Sequence, residues 1–191
     1  MELAKSLGAV LFGAVLTQNF VLSRFMGICP FLGVSKQLKP AFGMGIAVIF
    51  VMLAATAVTH PIYSFLLLPL GLIYLDTLTF ILVIAAFVQL VEIILGKYLP
   101  ALHNSFGIYL PLITTNCAIL GVTLLNIQYE YDYLTSLVHA FGAGLGFMLA
   151  MVLFAGVRGQ QNGADVPKAF AGTPQALVAA GIVALSFIGF G

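Results

Sequence analysis

The side chains of this sequence best suited to chemistry are two cysteines, Cys29 and Cys117, and they sit in related settings. Laid over each other with an offset of 88 residues, Cys29-Pro30-Phe31-Leu32-Gly33-Val34 and Cys117-Ala118-Ile119-Leu120-Gly121-Val122 give the pattern C-x-x-L-G-V twice. Taken singly, a free thiol is an ordinary small apolar residue and among the most buried types. A disulfide is a second reading, although two thiols buried between cytoplasm and midplane are an odd place for one. As a repeat-related pair beside Gly and Pro, the two look more like metal ligands. Structural zinc and iron–sulfur clusters both want about four protein ligands. His60, His103 and His139 are far from either cysteine or at helix ends. Two thiolates are therefore half a site, and the other half must come from a second copy or a related subunit. In a low-dielectric setting, electron transfer is the most natural purpose for such a centre.

The elements that must position these residues follow from composition. Of the 191 residues, 62% are hydrophobic and only 7% charged, with a mean hydropathy of +1.15. A soluble domain carries roughly a quarter charged residues, because its surface faces water. A soluble helical bundle would also need polar faces at helical spacing, and these are missing. Seven Lys and Arg stand against six Asp and Glu, so no clustered basic face is available for nucleic acid. The seven Tyr, in a chain without Trp, mostly lie near the ends of apolar runs, as an aromatic belt requires.

Apolar stretches of about membrane-spanning length cover residues 8–34, 41–60, 72–95, 102–126, 133–157 and 172–190. The breaks between them are Ser35 to Pro40, the Pro61–Pro69 region, Gly96-Lys97, Gln128 to Asp132, and Arg158 to Lys168. The first stretch is read as a retained helix rather than a signal peptide, since Glu2 accompanies Lys5 and the run exceeds h-region length. Lys36, Lys39, Lys97, Arg158 and Lys168 fall in loops one, three and five, while the opposite side has only Lys5. The positive-inside rule then makes those loops cytoplasmic and turns both termini outward.

The first and fourth stretches depart from plain lipid-facing helix. Pro30 with flanking Gly27 and Gly33, and Pro111 followed by Thr114-Thr115-Asn116, predict breaks or re-entrant bends in both. Irregular backbone at membrane depth is tolerated only inside protein or against a cavity, so both stretches are expected to be interior. Each cysteine motif lies in the first helix of a three-helix half, and three is odd, so the second half must run opposite to the first. The expected fold is an all-α integral membrane protein: six transmembrane helices in two inverted three-helix repeats, residues 1–96 and 97–191, with broken first and fourth helices. Under that symmetry the two cysteines approach each other near the pseudo-two-fold axis.

Other polar residues are candidates because ionisable groups at membrane depth are costly. Arg24 either tunes a nearby centre or snorkels to an interface. Gln89 and Glu92 lie one turn apart, marking an ion path or a carboxylate reaching the headgroups. Thr115 and Asn116 are placed to hydrogen-bond a cluster or to cap a broken helix. Asp76 before Thr77 reads as a helix start, and His60 before Pro61 as the end of the second helix. Gly142-x-Gly144-x-Gly146 lies within an apolar stretch and reads as close helix packing, not as a nucleotide loop.

Two longer motifs carry a resemblance. Gly27-Ile28-Cys29-Pro30-Phe31-Leu32-Gly33-Val34-Ser35-Lys36 and Pro111-Leu112-Ile113-Thr114-Thr115-Asn116-Cys117-Ala118-Ile119-Leu120-Gly121 resemble the signatures of the RnfA/NqrE family of bacterial and archaeal respiratory complexes. The likeness covers essentially the whole chain, including Ala164-Asp165-Val166-Pro167, and Cys29-Pro30-Phe31 with Gly33 leans towards its Rnf A-type branch. The resemblance implies two inverted helix triplets and pairing with a homologous E-type subunit, together with B-, C-, D- and G-type subunits. It implies a [2Fe–2S] cluster shared with that partner, with Cys29 and Cys117 as this chain's ligands. Read from the residues themselves, Arg24, Thr115 and Asn116 are the candidates to surround such a cluster. It further implies a subunit, without independent activity, of a ferredoxin:NAD⁺ oxidoreductase in the bacterial inner membrane that couples electron flow to Na⁺ or H⁺ transport. The alternatives are an inverted-repeat secondary transporter without a metal centre, relying on midplane polar groups, and a purely structural scaffold.

Overall fold

The computed structural model describes all residues except 1, 18, 36–37, 72, 99–109, 162–166, 168–171 and 190–191. The described residues are all-helical: α1 (Glu2–Phe12), α2 (Ile28–Val34), α3 (Leu38–Ile62), α4 (Asp76–Tyr98), α5 (Leu110–Thr114), α6 (Cys117–Gln128), α7 (Tyr133–Gln161) and α8 (Thr173–Ile188). Two spans, Pro40–Leu67 and Tyr133–Gln160, are long and apolar enough to cross a membrane. Leu7–Thr17, Asp76–Leu90, Leu112–Gln128 and Thr173–Phe187 are shorter apolar helices.

The two long helices, α3 and α7, form the spine of the fold and run antiparallel. Near the start of α3, Gly45 faces Met148, so close that an added Cβ would lie 2.5 Å from the Met148 Cγ. Further along, Ile49 faces Gly144, where a Cβ would lie 2.8 Å from the Ile49 Cγ1. At the far end, the His60 ring meets Tyr133 with centroids 5.5 Å apart, and His60 Nε2 lies 3.1 Å from the Tyr131 carbonyl. Lipid tails are as apolar as Leu, so helices in a bilayer associate through close packing, which small residues permit. Gly142, Gly144 and Gly146 do this on two fronts. Gly144 admits α3, while Gly142 and Gly146 admit Leu11, Ala14 and Val15 from the first helix and its continuation. The reading of this glycine run as helix packing is thereby borne out.

Large apolar side chains on the outer faces stay exposed, as on the ridge Leu38, Phe42, Ile46 and Phe50 along α3. Their four-residue spacing puts them on one stripe. The core lies between the helices, where Met44, Val48, Met52, Phe147, Met151 and Phe154 are fully buried.

The breaks fall beside the prolines rather than at them. α1 continues through a π-helical turn, Gly13–Thr17, and residues 19–27 are irregular before α2 begins at Ile28, ahead of Pro30. Pro30 sits in the first turn of α2, where its missing N–H has no intrahelical partner to lose. Pro111 likewise stands at the start of α5, and the interruption comes at Thr115-Asn116. Nor does His60 end the second helix. α3 carries on through Pro61 to Ile62, and a π turn, Tyr63–Leu67, then leads into Leu68–Leu70. Such turns let a helix absorb a disturbed hydrogen-bond ladder without stopping. Asp76 opens α4 as expected, its carboxylate accepting from the Thr77 N–H. Residues 102–109 at the start of the fourth stretch, the Glu92 side chain, Lys36 and the Ala164–Val166 motif lie outside what is described.

Candidate metal-ligating site

Cys29 is the second residue of α2 and Cys117 the first residue of α6. Each therefore stands at the amino end of a half-helix that follows a break. The segment between α1 and α2 lies along α6 and runs opposite to it. Arg24 Nη2 donates to the Tyr129 hydroxyl at 3.0 Å, beyond the carboxyl end of α6. Met26 Sδ packs where a Gly121 Cβ would be, 2.5 Å away. Gly27 then reaches Asn116 and Ala118, at the amino end.

Gly27 is the point of contact between the two breaks. Its φ of 88° lies in the left-handed region, which costs a residue with a Cβ about 1–2 kcal/mol. A Cβ there would sit 2.9 Å from Phe147 Cε2, 3.2 Å from Ala118 Cβ and 3.2 Å from Asn116 Oδ1. Only glycine meets both demands. On either side of this contact the chain continues directly into Ile28-Cys29 and into Cys117. Both thiols are free and exposed on the surface of the chain.

Asn116 is the N-cap of α6, its Oδ1 accepting from the Ala118 N–H at 3.0 Å. At the amide's other end, Nδ2 is buried and has no hydrogen-bond partner among the described residues. A buried amide donor left unmade costs about 1–3 kcal/mol, so this group invites an acceptor. Thr115, Asn116 and Cys117 line one side of a groove of about 250 Å³ whose other wall is Ile81, Ile84 and Ala85 of α4. Among the described residues, no group of three or more His, Cys, Asp or Glu side chains is placed to hold a metal ion.

Of the predicted site residues, the fold gathers Cys117, Thr115 and Asn116 along one groove, while Cys29 follows two residues after the Gly27 contact. The Arg24 guanidinium is directed elsewhere, to Tyr129 at the opposite end of α6.

Asn19 was not legible as a site residue. Buried at the first break, its Nδ2 donates to the Gly146 carbonyl of α7 at 2.8 Å and to the Val15 carbonyl at 3.3 Å. Its Oδ1 accepts from the N–H groups of Val21 and Leu22. It does for the first break what Asn116 does for the second. The available signal was an amide inside the apolar stretch 8–34. His139, discounted in the sequence for its distance from the cysteines, is buried in α7 with Nδ1 2.6 Å from Asn126 Oδ1. It rests among the rings of Phe20, Tyr129 and Tyr131.

Residues 7–191 match the model of a family described as Rnf-Nqr subunit, membrane protein. The chain belongs to the Rnf-Nqr subunit family. Rnf-Nqr relatives are similar over nearly their full length. One, from Acetobacterium woodii, is named as the A-type subunit of a Na⁺-translocating ferredoxin:NAD⁺ oxidoreductase complex. It is 55% identical over 181 residues, covering 95% of this chain and 94% of the relative. The A-type subunit of an ion-translocating oxidoreductase complex from Syntrophotalea carbinolica is 55% identical over 186 residues, covering 97% and 96%. Its counterpart of the same name from Yersinia enterocolitica is 53% identical over 178 residues, covering 93% and 92%.

Proposed function

We propose that this Rnf-Nqr protein is the A-type membrane component of an ion-translocating ferredoxin:NAD⁺ oxidoreductase complex, supplying Cys29 and Cys117 as half the ligands of a [2Fe–2S] cluster. The names of its relatives support the complex. One observation carries the cluster. Two half-helices meet at Gly27 and Asn116, each presenting a free cysteine at its amino end on the exposed surface of the chain.

The residues fit such a group. Two thiolates are the donors that [2Fe–2S] centres take, and exposure leaves them open to two more from a homologous E-type partner. A cluster bound by four thiolates is an anion. Cys117 would carry it at the amino end of α6, where the positive end of the helix dipole favours negative charge. Asn116 places a buried amide directly before Cys117, the kind of polar neighbour that tunes such centres. The cluster, when bound, supplies a one-electron relay within the membrane. Gly27 and Asn116 hold the ligating helix ends together, and the apolar wall of α4 keeps water away.

The broader architecture follows the same reading. α1–α2, α3 and α4 form one triplet and α5–α6, α7 and α8 the other, inverted across the membrane. The antiparallel packing of α3 on α7, the second helix of each triplet, supports this. Lys97 and Arg158 then face the cytoplasm of a bacterial inner membrane, both termini face outward, and B-, C-, D- and G-type subunits complete the assembly.

Electron paramagnetic resonance on the dithionite-reduced complex tests the cluster, with Cys29→Ser and Cys117→Ser beside the wild type. A [2Fe–2S] signal in the wild type, lost from both variants, is expected. An iron-free wild type, or variants that keep the signal, would leave an inverted-repeat transporter as the better reading.

A further inference from the structure

Arg158 has the place of an ordinary membrane-edge cation, near the carboxyl end of α7. Such a side chain normally extends towards headgroups and water. Here it turns back instead. Its Nη1 donates to the Leu32 carbonyl at 2.7 Å and to the Ser35 hydroxyl at 3.0 Å, on a segment more than a hundred residues away in sequence. Ser35 is the C-cap of α2 and fully buried, and the Leu32 carbonyl belongs to the last turn, whose carbonyls lack intrahelical partners. A cation at a helix carboxyl end satisfies those groups and opposes the local negative charge of the dipole.

The rest of α2 rests on the same stripe of α7. Gly27 touches Phe147, Phe31 stacks on Phe154 with centroids 4.2 Å apart, and Leu32 and Ser35 meet Arg158. Positions 147, 154 and 158 fall on one helix face. α2 has 7 residues, too few for a helix to persist on its own in isolation, so its location depends on what grips its ends. Gly27 seats the amino end against Asn116, and Arg158 grips the other.

We propose that Arg158 is a positioning residue for the electron-transfer centre. By holding the carboxyl end of α2 it sets the position along α7 of the whole half-helix, and with it the Cys29 thiol at the opposite end. The inference rests on Cys29 being a cluster ligand, as read above. It predicts an asymmetric site, since Cys117 is carried by α6 and does not depend on this grip.

The test uses the assembled complex with Arg158→Gln, Arg158→Lys and the milder Ser35→Ala, which removes one of the two acceptors. Amide hydrogen exchange is followed in peptides covering 28–35 and 117–128, and the reduced cluster is examined by electron paramagnetic resonance and redox titration. For Arg158→Gln, exchange over 28–35 is expected to rise roughly tenfold, the scale of one lost charge-assisted hydrogen bond, with 117–128 unchanged. Iron is retained, but the signal shape and midpoint potential shift. Arg158→Lys stays near wild type, because one ammonium can donate to both acceptors, and Ser35→Ala falls between. Unchanged exchange over 28–35, an equal rise in both peptides, or faster exchange with an unaltered signal and potential would each overturn the proposal. An iron-free wild type would instead remove the cluster reading and with it the role towards a centre, while exchange would still report the grip of Arg158 on α2 without any metal.

Discussion

Gly27→Ala probes the contact on which the site depends. The substitution adds one methyl group at a residue whose φ is 88°, which costs about 1–2 kcal/mol in any fold. That methyl must also enter a space where Phe147 Cε2 lies 2.9 Å away and Asn116 Oδ1 and Ala118 Cβ lie 3.2 Å away. Overpacking of this kind costs about 1–3 kcal/mol when neighbours cannot retreat. The Asn116 oxygen has little freedom, because it is engaged by the Ala118 N–H. The expected total is about 2–5 kcal/mol, measured by titrating the detergent-solubilised protein with denaturing detergent. The two contributions separate in a double-mutant cycle with Phe147→Leu, which withdraws the nearest atom. The pair should couple favourably by about 1 kcal/mol, leaving the backbone cost in place. A Gly27→Ala protein within about 0.5 kcal/mol of wild type would refute the close approach of the two breaks. So would a cycle with no coupling.

Two further substitutions separate capping from chemistry. Asn116→Ser keeps an N-cap oxygen for the Ala118 N–H but removes the unpartnered Nδ2, so stability should change by less than about 1 kcal/mol. In the assembled complex its reduced cluster should nevertheless show a lower midpoint potential, and an unchanged potential would assign Asn116 to capping alone. Asn19→Ala removes hydrogen bonds to Val21, Leu22, Val15 and Gly146 at once. It should destabilise the protein by about 2–3 kcal/mol in the same detergent titration, and a neutral variant would show that the first break is held from elsewhere.

Much of this molecule was legible without coordinates. A chain with 7% charged residues cannot cover a soluble surface, and its apolar runs announce helices. Cysteines sharing a repeated motif point to a common role, and glycines at short spacing in an apolar helix point to close packing. These are properties of composition and local pattern. Where each break falls was not among them. Prolines mark local interruptions in a sequence, yet Pro30 and Pro111 sit inside first turns and Pro61 within a continuing helix. A proline costs a hydrogen bond only where its neighbour four residues back needs one.

Side-chain direction was equally hidden. Arg24 stands five residues from Cys29 in the chain, yet its guanidinium turns to Tyr129 at the far end of α6. Arg158 looked like a loop charge useful only for orientation, and it grips the end of α2. Asn19 and Gly27 gain their meaning from Gly146, Phe147 and Asn116, more than eighty residues away. The sequence alone determined the solvent this protein lives in, its helical class and the two thiols that share a motif, because hydropathy and residue type are local quantities. The tertiary structure decided which helix ends meet and what fixes them there, because hydrogen bonds and steric fit between distant segments are set only by the packing of α3 on α7 and the half-helices laid against them.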